Sequence, residues 1–523
     1  MKEICNKDIL LSKIFKLLCF SLIVIVIQLE NNNLIVHAQN SQTDSLEKNR
    51  KYDDELTDWH MIPAGSSGGW RTAVSRAESN RIDIQRMQKE RTNPYLPQPE
   101  HLLGNWWGLH SWLYNRGINI NFDNQNEFAG NISGYHQKKS TNTGAVDANI
   151  DIDWEVLIGD NWITNGLVGH MTVIGRYGSN LSAGLGENIT QVQELYGAGG
   201  NVVAKLVNLY LDKHLLEDRM IMSFGRMDVG ASFATSPIQC YFMNNGICGN
   251  PKPLSGQAAG FSAWPDSEWG INILFQATSQ YFIRIGMYQV SRAAYSNRAG
   301  HRAGWAAVVR TGEDAGGEFP IEMIYQPKWG KHELTGHYKI GFAYDTSPYP
   351  VWGRSIYWGH ITSANGIDQK WKRGRDEEWV LLDQMIQRNG PGDLNGLIGY
   401  LGFVHSNPKT FQRQNQFLAA IINTGFWKSR PMDGIGVLFV HQIMSREARK
   451  AQRYNIMSGF PIGDIVLGAS GIQSAETTVE LTYLIHIYDG VMFQPDFQYE
   501  IHPNAQKNIP NAAFLGFKSR VDF

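Results

Sequence analysis

Hydrophobic and polar residues alternate along much of this chain. In residues 144–157 (GAVDANIDIDWEVL) aliphatic residues and Trp occupy every second position, and acids and Asn lie between them. The same pattern recurs in residues 118–128, 333–345 and 491–501. Because successive side chains of a strand point to opposite faces, each stretch predicts a strand with one apolar and one polar face.

The spacing of the predicted strands indicates a barrel. Connections after even-numbered strands have about four to ten residues, and those after odd-numbered strands have about eleven to over forty. An even strand count with short turns at one end and long loops at the other is typical of an antiparallel transmembrane β-barrel. The sixteen expected strands are 118–128, 145–157, 166–177, 202–212, 219–226, 269–276, 281–289, 319–326, 333–344, 378–385, 396–404, 416–425, 435–444, 476–486, 491–501 and 513–523.

A membrane location decides which face of each strand points inward. Strands that span a bilayer must pair all their backbone groups, so the sheet closes on itself and its apolar face meets lipid. Sixteen strands leave a water-filled lumen, into which the acids, amides and hydroxyls point. The chain ends on an outward aromatic residue, Phe523, which is the feature that we expect the outer-membrane assembly machinery to recognise.

The region before the barrel divides into two parts. Four Lys residues precede an apolar stretch, residues 17–27, and small residues at 36 and 38 suit cleavage before Gln39. This layout predicts a secretory signal peptide over residues 1–38 and Sec-type export. A retained membrane anchor would need about 20 apolar residues, more than this stretch offers. Residues 39–103 are polar and predict a periplasmic leader, so the barrel domain is expected over residues 104–523.

Composition excludes several other functions. The 47 basic and 49 acidic side chains nearly cancel, which argues against a nucleic-acid partner. The chain contains no HExxH, GxSxG or CxxC motif, and its His residues lack metal-ligand spacing, so we predict no enzyme, no metal and no cofactor. After export only Cys240 and Cys248 remain, and in an oxidising compartment they can form a disulfide. A metal pair is the weaker alternative, because no His or acid is adjacent in sequence.

Three segments resemble the carbohydrate-selective porin family (OprB type), over about residues 104–523. They are Asn105–Ile118 (NWWGLHSWLYNRGI), Trp264–Gly270 (WPDSEWG), and Glu480 to Tyr483 followed by Gln494–Tyr499 (QPDFQY) and Pro503. In the first segment His110 stands where many relatives have Arg, and this segment is expected to include a short helix in the periplasmic mouth. The resemblance implies an outer-membrane channel through which small neutral sugars, glucose above all, diffuse passively.

The residues themselves suggest how such a channel is lined. The connection from about Met227 to Glu268 is the longest and is expected to fold into the pore. Acids outnumber bases in the predicted lumen, which argues against anion uptake and leaves a general, weakly cation-preferring porin as the alternative. The sequence leaves open whether the channel is a monomer or a homo-oligomer. The expected pore-lining or sugar-binding residues are Glu127, Asp153, Glu155, Arg176, Arg226, Asp228, Trp264, Glu268, Trp269, Arg284 and Glu480.

Overall fold

The structure is a computed structural model of the chain. It describes residues 102–523, apart from short gaps. The proposed signal peptide and nearly all of the proposed leader lie outside the described residues. The gaps are 105, 136, 187–188, 196–202, 217–218, 237, 249, 256–259, 291–303, 305–315, 356–368, 391–394, 460–470 and 489.

Sixteen strands among the described residues form a closed antiparallel barrel, which confirms the predicted fold. Each strand pairs with its neighbour in sequence, and the last strand returns to pair with the first, where Glu127 stands opposite Lys518. A seventeenth, two-residue strand (β9) pairs with β10. The strands are β1 (Ile118–Ser133), β2 (Ser140–Asp153), β3 (Leu167–Gly178), β4 (Lys205–Leu215), β5 (Met220–Met227), β6 (Glu268–Gln276), β7 (Tyr281–Val290), β8 (Gly316–Tyr325), β9 (Lys328–Trp329), β10 (Leu334–Ser355), β11 (Gln369–Arg388), β12 (Gly396–Ser406), β13 (Arg413–Thr424), β14 (Gly434–Met444), β15 (Ala475–Tyr488), β16 (Val491–Ile501) and β17 (Ala512–Asp522).

The helices lie before the first strand or in the connections between strands. No helix in the described part of the chain is long and apolar enough to cross a membrane. The α-helices are α1 (Leu109–Tyr114), α2 (Trp154–Ile158), α3 (Leu181–Leu185), α4 (Lys252–Ser255) and α5 (Arg446–Met457), with short 3₁₀ turns at Trp106–Gly108, Gln239–Tyr241 and Pro503–Ala505.

The two ends of the barrel differ, and we name them by their connections. At the turn rim, where β1 begins and β17 ends, the connections are short; the loop rim is the opposite end. Connections 134–139 and 407–412 at the loop rim have fewer than the expected eleven residues, because their strands continue further into the loop region. Beyond the lipid a strand needs no apolar face, so the alternation that we used to locate strand ends is lost there.

Two details near the turn rim differ from the predictions. The second strand ends at Asp153, whose carboxylate accepts a hydrogen bond from the Val156 amide and caps helix α2. The first helix was expected in the barrel mouth, but Trp106 at its start stacks on Phe122, an exposed residue of the outer face of β1. His110 packs edge-on against the same Trp106 ring.

The inner face of β11 to β14 carries many apolar side chains among its polar ones, contrary to the simple rule of a polar lumen. Trp379, Tyr400, Leu418 and Leu438 are buried there and belong to one hydrophobic cluster. Their partners come from the long connection between β5 and β6, residues 228–267, which we call the inward loop. This arrangement explains why the alternation of β11 and β12 is poor: the outer face meets lipid and the inner face meets a packed loop.

Candidate pore constriction

The inward loop occupies part of the lumen and packs as a protein core. Phe233, Phe242 and Phe261 have no exposed surface, and Phe261 meets the Trp379 ring edge-on at 5.9 Å. Burial of each such side chain stabilises the packed loop by roughly 1.5–3 kcal/mol. The sequence correctly placed the longest connection inside the barrel, but its attachment is largely hydrophobic.

Polar groups of the barrel wall also hold the backbone of the inward loop. Glu480 on β15 accepts hydrogen bonds from the amides of Met243 (2.6 Å) and Asn244 (3.1 Å). On the opposite side, Glu322 on β8 accepts from the Ala234 amide at 2.9 Å. Further attachments come from Arg284 to the Ser232 carbonyl, Ser236 to Asp383, Gln416 to the Gly246 carbonyl, and Gln494 to the Tyr241 carbonyl.

A second segment, residues 189–195, also enters the lumen, and we call it the inward strap. Its Leu195 amide donates to Glu127 on β1 at 3.0 Å, and its Thr190 amide donates to Glu476 on β15 at 3.1 Å. It lies in the connection between β3 and β4. Nothing in the sequence marked this connection as different from other long loops, so the strap was not anticipated.

The strap and the inward loop are joined to each other and to the wall. The Asn245 amide donates to the Gln191 carbonyl at 2.9 Å. The Lys518 ammonium on β17 is fully buried and donates to Glu194 of the strap at 3.0 Å and to the carbonyls of Cys240 and Phe242 at 3.2 Å. One lysine therefore connects β17 with both inward segments.

Cys240 and Cys248 are joined by a disulfide within the inward loop. The fold brings the Glu194 carboxylate close to the two sulfur atoms, with all three groups within 4.8 Å of one another. A thiolate is the form of cysteine that binds a metal, and sulfur atoms bonded to each other are not thiolates. The geometry therefore favours the structural disulfide over the alternative metal pair.

Five polar or aromatic side chains, four on the two inward segments and one near the end of β3, are only half-buried, so part of each stays accessible to a solute in the lumen. We call them the lining residues: Arg176, Gln191, Lys252, Trp264 and Asp266. Trp264 packs against Ala145 and Ile174 of the wall and Leu195 of the strap. Arg176 and Trp264 were predicted from the sequence, whereas Gln191, Lys252 and Asp266 were not.

The lining residues include two cations, Arg176 and Lys252, and one carboxylate, Asp266. Asp266 forms an ion pair with Lys205 on β4. Lys252 donates to the Asn245 side-chain oxygen at 2.7 Å. Burial, and then the neighbouring Arg413, lower the pKa of Lys252 to about 7. Lys252 lies between two Pro residues on the short helix α4, a setting with no recognisable sequence signature.

The structure separates the other expected pore-lining residues into three groups. Arg226 and Trp269 pair with each other across β5 and β6, and Arg226 also stands opposite the exposed Leu209. Cross-strand partners share a face of the sheet, so both residues occupy outward positions of their strands, and Arg226 is buried there. This pairing argues against the predicted pore-lining role of these two residues.

A second group lies at the ends of strands. Asp153 caps α2, and Glu155, within α2, accepts from the Gly166 amide at 3.1 Å. Asp228 is buried at the start of the inward loop and accepts from the Ala231 amide at 2.5 Å. Glu268 is buried on the inner face at the start of β6. These carboxylates shape turns and strand ends instead of facing the passage.

The third group consists of inward residues that bind the loop or the strap. Glu127, Arg284 and Glu480 are all on inner faces and almost fully buried. Their hydrogen bonds, described above, go to backbone groups of the inward segments. The sequence pattern placed them on the correct face, but the fold uses them to fasten the constriction and leaves little of them exposed to a solute.

Comparison with known proteins supports this picture. Residues 137–523 match the family model described as "Carbohydrate-selective porin, OprB family". Porin B of Pseudomonas aeruginosa is 25% identical over 442 residues, which cover 82% of this chain and 92% of that protein. The high-pH structure of Pseudomonas putida OprB superposes with a TM-score of 0.72 at 22% identity and covers 82% of this chain and all of that one. At that identity the structural match shows the fold alone.

Proposed function

Because the chain belongs to the carbohydrate-selective porin, OprB family, and is an outer-membrane channel and not an enzyme, we propose that glucose-type monosaccharides diffuse through the passage beside the five lining residues. The observation that carries this proposal is that a half-buried indole, Trp264, and half-buried amide, ammonium and carboxylate groups all belong to the two inward segments. The family match supports sugars as the solutes, and the lining supports a neutral one.

The chemistry of the lining suits a pyranose. A sugar ring carries hydroxyl groups around its edge and C–H groups on its faces. Gln191 and Asp266 offer oxygen acceptors, Arg176 and Lys252 offer donors, and the half-buried Trp264 ring offers an apolar surface. A pore selects by the groups that line it, so hydrogen-bond donors and acceptors beside an aromatic face favour neutral polyols.

The alternative of a weakly cation-preferring porin has less support from the geometry. It was based on an excess of acids in the expected lumen. Several of those acids, such as Glu127 and Glu480, bind backbone amides of the inward segments. The lining residues themselves comprise two cations and one carboxylate, and that carboxylate is paired with Lys205.

Single-channel recording in planar bilayers tests the proposal. We expect glucose to reduce the ion current in a concentration-dependent manner, and the Trp264→Ala variant to show at least a fivefold weaker block, in line with the roughly 1–3 kcal/mol that an aromatic contact contributes. The Trp269→Ala variant is the matched control, because its side chain is on the outer face. Equal block in both variants, or liposome swelling as fast with a trisaccharide as with glucose, would contradict the proposal.

We also propose how the chain reaches its place. Residues 1–38 direct Sec-type export, residues 39–103 form a periplasmic leader, and Phe523 is recognised by the assembly machinery. The Phe523 amide donates to the Phe122 carbonyl at 2.9 Å, so the last residue extends the β17–β1 pairing. Deletion of Phe523 should slow the appearance of the folded, heat-modifiable form in the outer membrane. Light scattering in detergent distinguishes a monomer from a homo-oligomer.

A further inference from the structure

The outer face of the barrel carries an apolar groove near the turn rim. The groove has a volume of about 570 Å³ and crosses β10 to β14. It exists because Gly399 and Ala419 are small, whereas Leu401, Ile421 and Phe439 around them are large. A side chain added at Gly399 would make only an ordinary contact with Ile386, at 3.5 Å, so open space lies above this position.

The groove begins at the depth of the membrane interface. Tyr281, Tyr325 and Tyr338 form a stacked row across β7, β8 and β10, with centroid distances of 4.5 and 5.9 Å. Tyr338 lines the groove, and its hydroxyl donates to Gln384 at 2.6 Å. Tyrosine rings of this kind gather where the apolar band of a barrel meets the headgroups. The polar pair therefore lies at the mouth of the groove, and the carbon-lined part extends into the hydrocarbon.

The turn rim beside this mouth is basic. Lys328 and Lys331 precede β10, Arg388 ends β11, and Lys428 lies between β13 and β14. Both lysines before β10 and Lys428 are exposed. Arg388 donates to the His332 and Glu333 carbonyls, which brings its guanidinium to the same turn. Within their described residues, the two turns that carry these four cations have one exposed carboxylate, Glu333.

We propose that this groove binds one anionic phospholipid of the inner leaflet, with an acyl chain in the groove and the phosphate at the basic rim. Short turns of such barrels face the periplasm, where the leaflet contains phospholipid. Charge complementarity favours an anionic headgroup over a zwitterionic one. A second copy of the chain is a poorer occupant, because symmetric contact at this site would bring identical basic rims together.

Native mass spectrometry of the purified full-length barrel tests the proposal. The probes are dioleoylphosphatidylglycerol and dioleoylphosphatidylcholine, added separately after delipidation. We expect the wild type to retain the anionic lipid at least tenfold more than the zwitterionic one. Ala419→Leu fills the groove and should reduce retention of the anionic lipid about tenfold. The matched control is Ala148→Leu, an outward position on β2 far along the wall, which should leave retention unchanged.

The rim is tested separately with the double variant Lys331→Gln and Lys428→Gln, which leaves the groove open. This variant should bind the two lipids equally and so lose the preference for the anionic lipid. Heat modifiability on gels verifies that each variant is folded. Equal retention in Ala419→Leu and Ala148→Leu, equal retention of the two lipids by the wild type, or an oligomer peak that only Ala419→Leu abolishes would each overturn the proposal. None of these measurements depends on sugar conductance, so they test the lipid site independently of the proposed sugar transport.

Discussion

The attachment of the inward loop to Glu480 gives the sharpest test of how the constriction is held. Glu480 has no exposed surface, and its two oxygen atoms accept from the Met243 and Asn244 amides. Glu480→Gln keeps the size of the side chain and one carbonyl oxygen, but its amide nitrogen cannot accept. One buried N–H of the loop then lacks an acceptor.

The size of the effect follows from the cost of an unsatisfied buried donor. That cost is about 1–3 kcal/mol. Since 1.4 kcal/mol corresponds to about a factor of ten, the local opening of the loop around Met243 should become roughly 5- to 150-fold more frequent. The remaining attachments and the hydrophobic core keep the rest of the loop in place, so the barrel itself should stay folded.

Hydrogen exchange measured by mass spectrometry reports this opening directly. Peptides that contain Met243 and Asn244 should exchange faster in Glu480→Gln by that factor. Glu476→Gln is the matched control, because Glu476 lies on the same strand but accepts from the Thr190 amide of the strap. It should accelerate exchange at Thr190 and not at Met243. Unchanged exchange at Met243 in Glu480→Gln would refute the argument that wall carboxylates fasten the loop.

Three further predictions concern charge and cross-linking at the constriction. Because the pKa of Lys252 is lowered to about 7, raising the pH from about 6 to about 8 removes its positive charge. The ion preference should then shift toward cations, as measured by reversal potentials in a salt gradient. Lys252→Gln should abolish this shift. Arg176→Gln should also move the reversal potential toward cation preference, whereas Arg226→Gln on the outer face should leave it unchanged. Cys240→Ser should lower the free energy of local unfolding of the loop by roughly 2–3 kcal/mol, seen as faster exchange within it.

Each of these outcomes can fail in an informative way. A pH-dependent shift that persists in Lys252→Gln would assign it to another group. Equal effects of the two arginine variants would place Arg226 in the conducting path, against its pairing with Leu209 and Trp269. No change in exchange after loss of the disulfide would mean that packing alone holds the loop.

The outward-facing pattern made the barrel predictable. A lipid-exposed position must be apolar whatever the rest of the chain does, so residues such as Val146 and Ile150 are recognisable from their neighbours alone. The prediction weakened where that constraint ends. Trp154–Ile158 kept an alternating composition but forms helix α2, and Arg226 and Trp269 lie near the loop rim, where alternation no longer identifies the inner face.

The use of the inward polar residues was not predictable in the same way. Glu127 was expected on the inner face and is there, but its partner Leu195 is 68 residues away in sequence. Glu480 and Met243 are 237 residues apart. A sequence does not distinguish a carboxylate that faces water from one that accepts a hydrogen bond from a buried loop amide. The two differ only in the neighbouring groups, which the fold determines.

The chain by itself determined the barrel, its strand count, its orientation of faces and its longest inward connection, since each depends on local periodicity and on the length between strands. Only the tertiary structure decided which side chains the solute meets. The strap from residues 189–195, the position of Lys252 and the hydrophobic cluster on the inner wall of β11 to β14 arise when distant segments pack together. Those contacts depend on shape complementarity and on the pairing of buried polar groups across the lumen. Neither can be predicted from residues that are adjacent in the sequence.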